Sequence, residues 1–458
     1  MPDRVRLPMV DTFESSLAPD GRRRFVHTAD VHGKFTRARR IVFAVLIAIW
    51  IALPLIPIGG HAAVLLDVAR RRFYLFGQTF NAQDVWLMFF ILTGAVFVLA
   101  VMTAVAGRVF CGFACPQTVF LDMVFRPIER FVDGPREERR RRQQGPWNVG
   151  RLARLLAKHA LYLLAAFLVA HVFLSFFVPL RQTLQMVLGK PSDHPEAFAW
   201  ATAVTLLLYG DFAWFREQLC LVVCPYGRLQ ASLIDADSLV IGYDSKRGEP
   251  RGKAGHATGD CVDCKRCVVV CPTGIDIRNG QQLDCVGCTA CIDACDEIML
   301  KLKRPTGLVR FDSQVAFAGG QRRIWRPRLL IYAGLGVVGL TVATLAFSRR
   351  ESFEANITRP KGAPFVVEDG RVRNSFVVHL VNKRDEEAVL DLETAPATGV
   401  DVSVEGRVAV PALGSVAVPC VVTIDASRQG KVYVLLRVLR EGRGEEKDVT
   451  VEIVRPVS

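Results

Sequence analysis

Apolar residues gather into five long blocks, and the chain turns strongly polar between them. The blocks run from about Ile41 to Ile58, Val85 to Ala106, His159 to Leu180, Ala197 to Val223 and Leu329 to Phe347. Each is long enough, or nearly so, to cross a hydrocarbon core of ~30 Å as a helix. The first is expected to be retained rather than cleaved, since forty residues precede it and a leader's basic start is short. The fourth is interrupted by Asp211, Arg216 and Glu217, so it is expected to leave the hydrocarbon early. Between the first two blocks, residues 60–84 carry Val64-Leu65-Leu66 and the stretch Phe73 to Phe80 among charges. Two placements stay open for that loop, in the membrane surface or in water.

After about Glu354 the blocks give way to short alternating runs. They are Ser375 to Val381, Ala388 to Leu392, Val400 to Val404, Val416 to Ile424, Lys431 to Val438 and Asp448 to Val454. Turn residues such as Asn382-Lys383-Arg384, Gly406 and Arg428-Gln429-Gly430 separate them. This rhythm over roughly 100 residues predicts an all-β, immunoglobulin-like sandwich. Cys420 lies alone there and is expected to be a buried small hydrophobe.

Composition supports a hybrid chain. Hydrophobic residues make up 51%, yet charged residues reach 22% of 458. Membrane helices must therefore alternate with soluble parts, and the length suggests about three domains. The net charge of +13 comes from Arg and Lys crowded beside the apolar blocks, without an aromatic-interleaved groove. That pattern fits membrane topology and excludes a nucleic-acid reading. The segment before the first block holds nine Lys/Arg and the loop from Arg108 to Lys158 holds eleven. The intervening loops hold only Arg70 to Arg72 and Arg181 with Lys190. Basic loops stay inside. The expected organisation is then a cytoplasmic arm at 1–40, a four-helix membrane region at 41–225, a cytoplasmic domain at 226–322, a fifth membrane helix at 323–349 and a periplasmic sandwich at 350–458. Arg322, Arg323, Arg326 and Arg328 before the last helix agree with this.

The expected cytoplasmic domain carries the chemistry. Cys261, Cys264, Cys267 and Cys271 read C-x2-C-x2-C-x3-C, and so do Cys285, Cys288, Cys291 and Cys295. This is the bacterial spacing for [4Fe–4S] clusters, in which the fourth cysteine of each run binds the other run's cluster. One cluster is thus expected on Cys261, Cys264, Cys267 and Cys295, and the other on Cys285, Cys288, Cys291 and Cys271. Such a pair moves single electrons, so a redox relay is expected. Zinc sites usually take C-x2-C pairs with longer gaps, and disulfides do not suit a cytoplasmic segment.

Four more cysteines end the second and fourth blocks. Cys111-Gly112-Phe113-Ala114-Cys115-Pro116 and Cys220-Leu221-Val222-Val223-Cys224-Pro225 both read C-x3-C-P, 109 residues apart. The repeat suggests an internally duplicated helix pair. Residues i and i+4 share a helical face, and proline stops the helix beyond the second cysteine. Each motif is read as a thiol pair at a helix end, and both ends lie at the same depth near the cytoplasmic face. Four converging thiols suit Cu(I), zinc or an iron–sulfur cluster. A disulfide in each motif and plain packing are the alternatives.

The eight histidines form no ligand set. His159 and His171 share a face of one helix without an obvious axial partner for haem. His61 and His194 offer weak help for copper at most, and Met88 and Met102 read as lipid-facing or core. Glycines from Gly248 to Gly259 lie outside any strand-then-helix setting, so they do not mark a nucleotide loop.

Taken together, the two C-x3-C-P motifs, the double ferredoxin run with Cys271-Pro272-Thr273-Gly274-Ile275-Asp276 and the outward sandwich resemble the FixG/CcoG/RdxA family of cytochrome c oxidase accessory proteins. The resemblance covers nearly the whole chain. It implies a membrane polyferredoxin of the bacterial inner membrane that reduces Cu(II) to Cu(I) for assembly of the cbb-type haem–copper oxidase. It implies two [4Fe–4S] clusters and copper at Cys111, Cys115, Cys220 and Cys224. The expected partners are the oxidase or its copper-delivery factors, a cytoplasmic or quinol electron donor, and a second copy of the chain in a homodimer. The NapH and NosR types of membrane ferredoxin share these motifs. A quinol-oxidising electron-transfer subunit and a non-redox assembly scaffold therefore stay open as alternatives.

Overall fold

A computed structural model of the protein describes residues 25–80, 84–252, 259–348, 351–394, 399–425, 433–440 and 445–454. The chain divides into two compact units. One comprises Met1–Pro57, Ala62–Leu65 and Phe90–Thr341, and the other Ile58–His61, Leu66–Phe89 and Val342–Ser458.

Among the described residues, five helical stretches are long and apolar enough to cross a membrane. They are Trp86–Ala106, Val109–Asp133, Val149–Leu174, Pro195–Phe215 and Pro327–Ser348. Four coincide with apolar blocks of the sequence. The first block behaves differently: its helix, Lys34–Ala52, starts with a basic turn and ends well before Ile58. Val109–Asp133 is a further such stretch, and its charges hide its apolar character from a hydropathy reading. Those charges are paired inside the fold. Asp122 accepts from Arg39 at 2.5 Å and from Arg126, and Arg126 also reaches Glu217. Arg39 is only 7% exposed.

The helical bundle centres on aromatic packing. Phe125 stacks on Phe212 at 4.3 Å and meets Tyr162 edge-on at 5.3 Å. Ala166, fully buried, lets the neighbouring helices close on that cluster. The fourth block breaks where its charges fall: Pro195–Gly210 runs into a wide turn at Asp211–Phe215, and Arg216 takes φ +54°.

The same unit contains the ferredoxin-like part. Strands Leu239–Tyr243 and Val309–Ser313 pair antiparallel, with Ile241 opposite Phe311. Helix Ala290–Lys301 packs beneath them through Ile292 and Met299. This part is tied directly to the first helix. The Asp293 carboxylate accepts from the backbone N–H of Phe35 (3.2 Å) and Thr36 (2.6 Å) and from the Thr36 hydroxyl (2.7 Å). Those are otherwise orphan donors at a helix start. A Cβ at Gly33 would lie 2.2 Å from the Asp293 side chain, so only glycine admits this cap.

The second unit is a two-sheet sandwich. One sheet orders Val400–Val404, Ser415–Asp425, Arg371–Asn382 and Phe353–Thr358, with Val366–Glu368 alongside Arg371–Asn382. The other orders Arg407–Val410, Ala388–Thr394, Tyr433–Arg440 and Glu445–Glu452. Strict alternation along Arg371–Asn382 buries Val372, Phe376, Val378 and Leu380. Cys420 sits opposite Phe376 in register and is fully buried, a core residue as its isolation suggests. In the loop after the first block, Arg72–Leu75 pairs with Gln78–Phe80. Protein covers Tyr74 and Phe80 there, while Val68 and Phe76 stay exposed.

Candidate metal centre

Ligand positions are set by short helices that begin from left-handed residues. Lys265 (φ +54°) precedes Arg266–Val269, and Thr289 (φ +62°) precedes Ala290–Lys301. Each left-handed step turns the chain so that a loop cysteine and the cysteine on the helix's first turn face one hollow. Arg278 ties the first loop down by pairing with Asp276 at 2.6 Å and Asp263 at 2.5 Å.

The eight ferredoxin cysteines line two adjoining hollows. Cys261, Cys264, Cys267 and Cys295 line one, closed by Tyr243, Met299 and Leu308. Cys271, Cys285, Cys288 and Cys291 line the other with Ile275 and Ile277, and Cys267 borders both. Among the described residues, no three His, Cys, Asp or Glu side chains are placed to hold a single metal ion. The all-thiolate lining of each hollow suits an iron–sulfur cluster. Burial pushes the Cys288 thiol up to about 11 and those of Cys267 and Cys295 up to about 12, and it raises Cys291 well above the ordinary thiol value. Without metal these thiols hold their protons at neutral pH, so ligation must release them.

The C-x3-C-P motifs repeat one backbone device. Cys111 lies in the turn Val109–Phe113, and the Cys115 N–H donates to Phe110 O at 2.8 Å. Cys220 lies in Leu219–Val223, and the Cys224 N–H donates to Leu219 O at 2.8 Å. Cys115 and Cys224 then go extended, and Pro116 and Pro225 open the next helices at their first position. That position suits proline, because its missing N–H has no helical acceptor. Each proline therefore ends one helix and starts another. The four thiols lie within electrostatic reach of one another. Gln230, wholly buried, places its amide 3.3 to 3.4 Å from the Cys111 sulfur.

This group abuts the second hollow. Cys220 packs on the apolar cluster of Val270, Val286, Cys288 and Ala290. Gly112 meets the Val286-Gly287-Cys288 loop so closely that a Cβ would fall 2.2 Å from Gly287 O. Arg108 donates to Cys285 O at 2.9 Å and Gly227 O at 3.1 Å. Arg39 Nε donates to Gly112 O at 2.9 Å. Sequence reasoning passed over Arg39, Arg108, Gly112, Gly287 and Gln230. Gly112 stood inside a recognised motif, but the two arginines read only as topology charges. The helical histidines hold structural bonds: His159 shares one with the Tyr209 hydroxyl at 2.9 Å, and His171 with Phe167 O at 2.8 Å.

Residues 215–314 match the family described as a 4Fe-4S dicluster domain, and residues 87–135 match a 4Fe-4S binding domain. Residues 343–455 match the IG-like fold at the C-terminus of FixG. The chain is 35% identical to the nitrogen fixation protein FixG of Rhizobium meliloti, over 83% of this chain and 82% of that one. This chain belongs to the FixG/RdxA family. It is 34% identical to RdxA of Cereibacter sphaeroides over 82% of this chain and 83% of that one. RdxB of the same organism is also 34% identical, over 87% of both. With its apolar helices, this FixG-type chain is a membrane protein that transfers electrons through iron–sulfur chemistry.

Proposed function

We propose that this FixG-type protein reduces Cu(II) to Cu(I) for assembly of cbb-type cytochrome c oxidase. Cys261, Cys264, Cys267 and Cys295 would hold one [4Fe–4S] cluster, and Cys285, Cys288, Cys291 and Cys271 the other. Bound clusters of this type supply electrons one at a time. The ferredoxin-like part lies on the cytoplasmic side of the bacterial inner membrane and the sandwich on the periplasmic side, as the basic loops require. Copper is the substrate: each cupric ion gains one electron and becomes the soft ion that thiolates prefer. Cys111, Cys115, Cys220 and Cys224 bind it, and Arg108 and Gly112 hold their helix ends against the second hollow. The product passes to the oxidase or a copper-delivery factor, and the electron comes from a cytoplasmic reductant or from quinol.

One observation carries this reading: Cys220 packs on the apolar cluster that contains Cys288 while Gly112 touches the same loop, which brings the paired thiols to the edge of the second hollow. The test is Cys111→Ser with Cys115→Ser in the purified protein. Cupric reduction should vanish while iron content and the paramagnetic spectrum of the reduced protein stay unchanged. Retained copper reduction excludes these thiols as the site.

A second reading has its own support. The 4Fe-4S binding match at 87–135 includes Cys111 and Cys115 as its only cysteines. Under that reading the four C-x3-C-P cysteines hold a third cluster. The iron count separates the two: about eight atoms per chain for two clusters, about twelve for three.

A further inference from the structure

The basic stretch between the helices Arg126–Asp133 and Val149–Leu174 builds a hollow that the electron-transfer reading does not use. It has a volume of about 270 Å³ and is lined by Arg139, Arg142, Arg151, Arg154 and Lys158, with Trp147 at its edge. A second hollow of about 380 Å³ shares Arg142, Arg151 and Arg154 with it. Two carboxylates also face the first hollow, and both are already taken. Glu129 pairs with Arg139 at 3.1 Å and Arg216 at 3.2 Å, and Asp133 pairs with Lys158 at 2.7 Å. Arg142 pairs with Glu138 at 2.6 Å. That leaves two cations. Arg151 donates to the carbonyls of Gly145 (2.7 Å) and Gln143 (3.3 Å) and stacks on the Trp147 ring at 4.3 Å. Among the described residues, neither Arg151 nor Arg154 has a carboxylate partner. Two guanidinium groups facing shared hollows without a counter-ion call for an anion with several acceptor oxygens.

The surroundings select an amphipathic anion over a soluble one. Arg151, Arg154 and Lys158 follow i, i+3, i+7 spacing on the first three turns of Val149–Leu174. That helix has 26 residues. At 1.5 Å per residue it is ~39 Å long, longer than the ~30 Å hydrocarbon core, so its first turns extend into the headgroup layer. Apolar side chains stand exposed beside the arginines: Val149 at 83%, Leu156 at 62% and Trp147 at 69%. A basic hollow bordered by uncovered apolar side chains at this depth matches a phosphate headgroup with its acyl chains alongside.

We propose that Arg151 and Arg154 bind the phosphate of an anionic membrane lipid at the start of Val149–Leu174. The test uses the full-length protein in neutral detergent, titrated with phosphatidylglycerol and followed by native mass spectrometry. The wild type should retain bound phosphatidylglycerol, and phosphatidylcholine should not replace it. Arg151→Gln with Arg154→Gln should weaken the binding by roughly thirty-fold, from the loss of two charges at a membrane surface. Arg181→Gln with Lys190→Gln, elsewhere on the chain, should leave it unchanged. Iron content per chain reports folding, and Arg154→Gln alone serves if the double variant loses iron. Equal binding by wild type and variant overturns the proposal. Displacement of the lipid by millimolar inorganic phosphate would overturn the lipid assignment in favour of a soluble anion. Neither result bears on copper reduction, which has its own readout.

Discussion

The two ferredoxin hollows have the same ligand pattern and opposite surroundings. Cys264 in the first is exposed, and that hollow is closed only by residues of the ferredoxin-like part. The second is bordered by the membrane helices: Gly112 contacts its loop, Arg108 holds the Cys285 carbonyl, and Cys220 packs on the cluster that contains Cys288. Identical spacing therefore does not give identical roles. On the proposed reading, the electron donor would approach the first hollow and charge would leave the second toward the C-x3-C-P thiols. The contrast arises from a few close contacts made by residues far away in sequence.

The contrast breaks most severely at Gly112. Gly112→Val drives a side chain into Gly287 O, so the second hollow should open and about half the iron should be lost, measured as iron per chain. Full iron retention in that variant would show that the close approach does not shape the hollow. Arg39→Gln comes next. It leaves Asp122 with less compensation and should cost ~3–5 kcal/mol of stability in chemical denaturation. Because the Arg39 charge acts on Cys288, its loss should also lower the reduction potential of the second centre and leave the first unmoved. A redox titration followed by electron paramagnetic resonance checks this, and equal shifts in both centres would refute the assignment.

A pH series on metal-free protein sharpens the comparison more gently. The folded thiols of Cys267 and Cys288 are raised above the ordinary thiol value of ~8.5. Their contribution to the metal-free fold is thus full below about pH 8.5 and is lost as pH rises toward 11 to 12. Iron uptake needs thiolates, so it should tighten over the same rise, with Cys264 the first to be alkylated. The smallest effect is expected at Asp293→Asn. It weakens the cap on Lys34–Ala52 by about 1 kcal/mol while the iron content holds.

Much of the architecture was legible without coordinates. Five of the six predicted strand runs fall within observed strands wherever those residues are described, and the sixth overruns its strand only by Ile453 and Val454, because alternation with period two is a direct consequence of one buried face. The two C-x3-C-P motifs were recognised as helix ends because proline cannot continue the hydrogen-bond ladder. Val109–Asp133 escaped because Asp122, Arg126 and Arg130 interrupt its hydropathy, and only their partners show Asp122 and Arg126 to be internal. The end of the first helix was not legible, because a run of apolar residues says nothing of where a helix stops, and Ala52 is followed by turn and short strands.

Sequence alone determined the inventory: eight thiols at cluster spacing, two repeated thiol pairs, the membrane-length apolar blocks and the alternating C-terminal domain. These follow from local rules of periodicity, ligand spacing and proline geometry. Tertiary structure decided which hollow faces the membrane thiols, and how Arg39, Gly112 and Asp293 join the helices to the ferredoxin-like part. Those contacts link residues 73 to 258 positions apart. No local pattern encodes them, because they depend on two backbones approaching until only glycine or a paired charge fits between them.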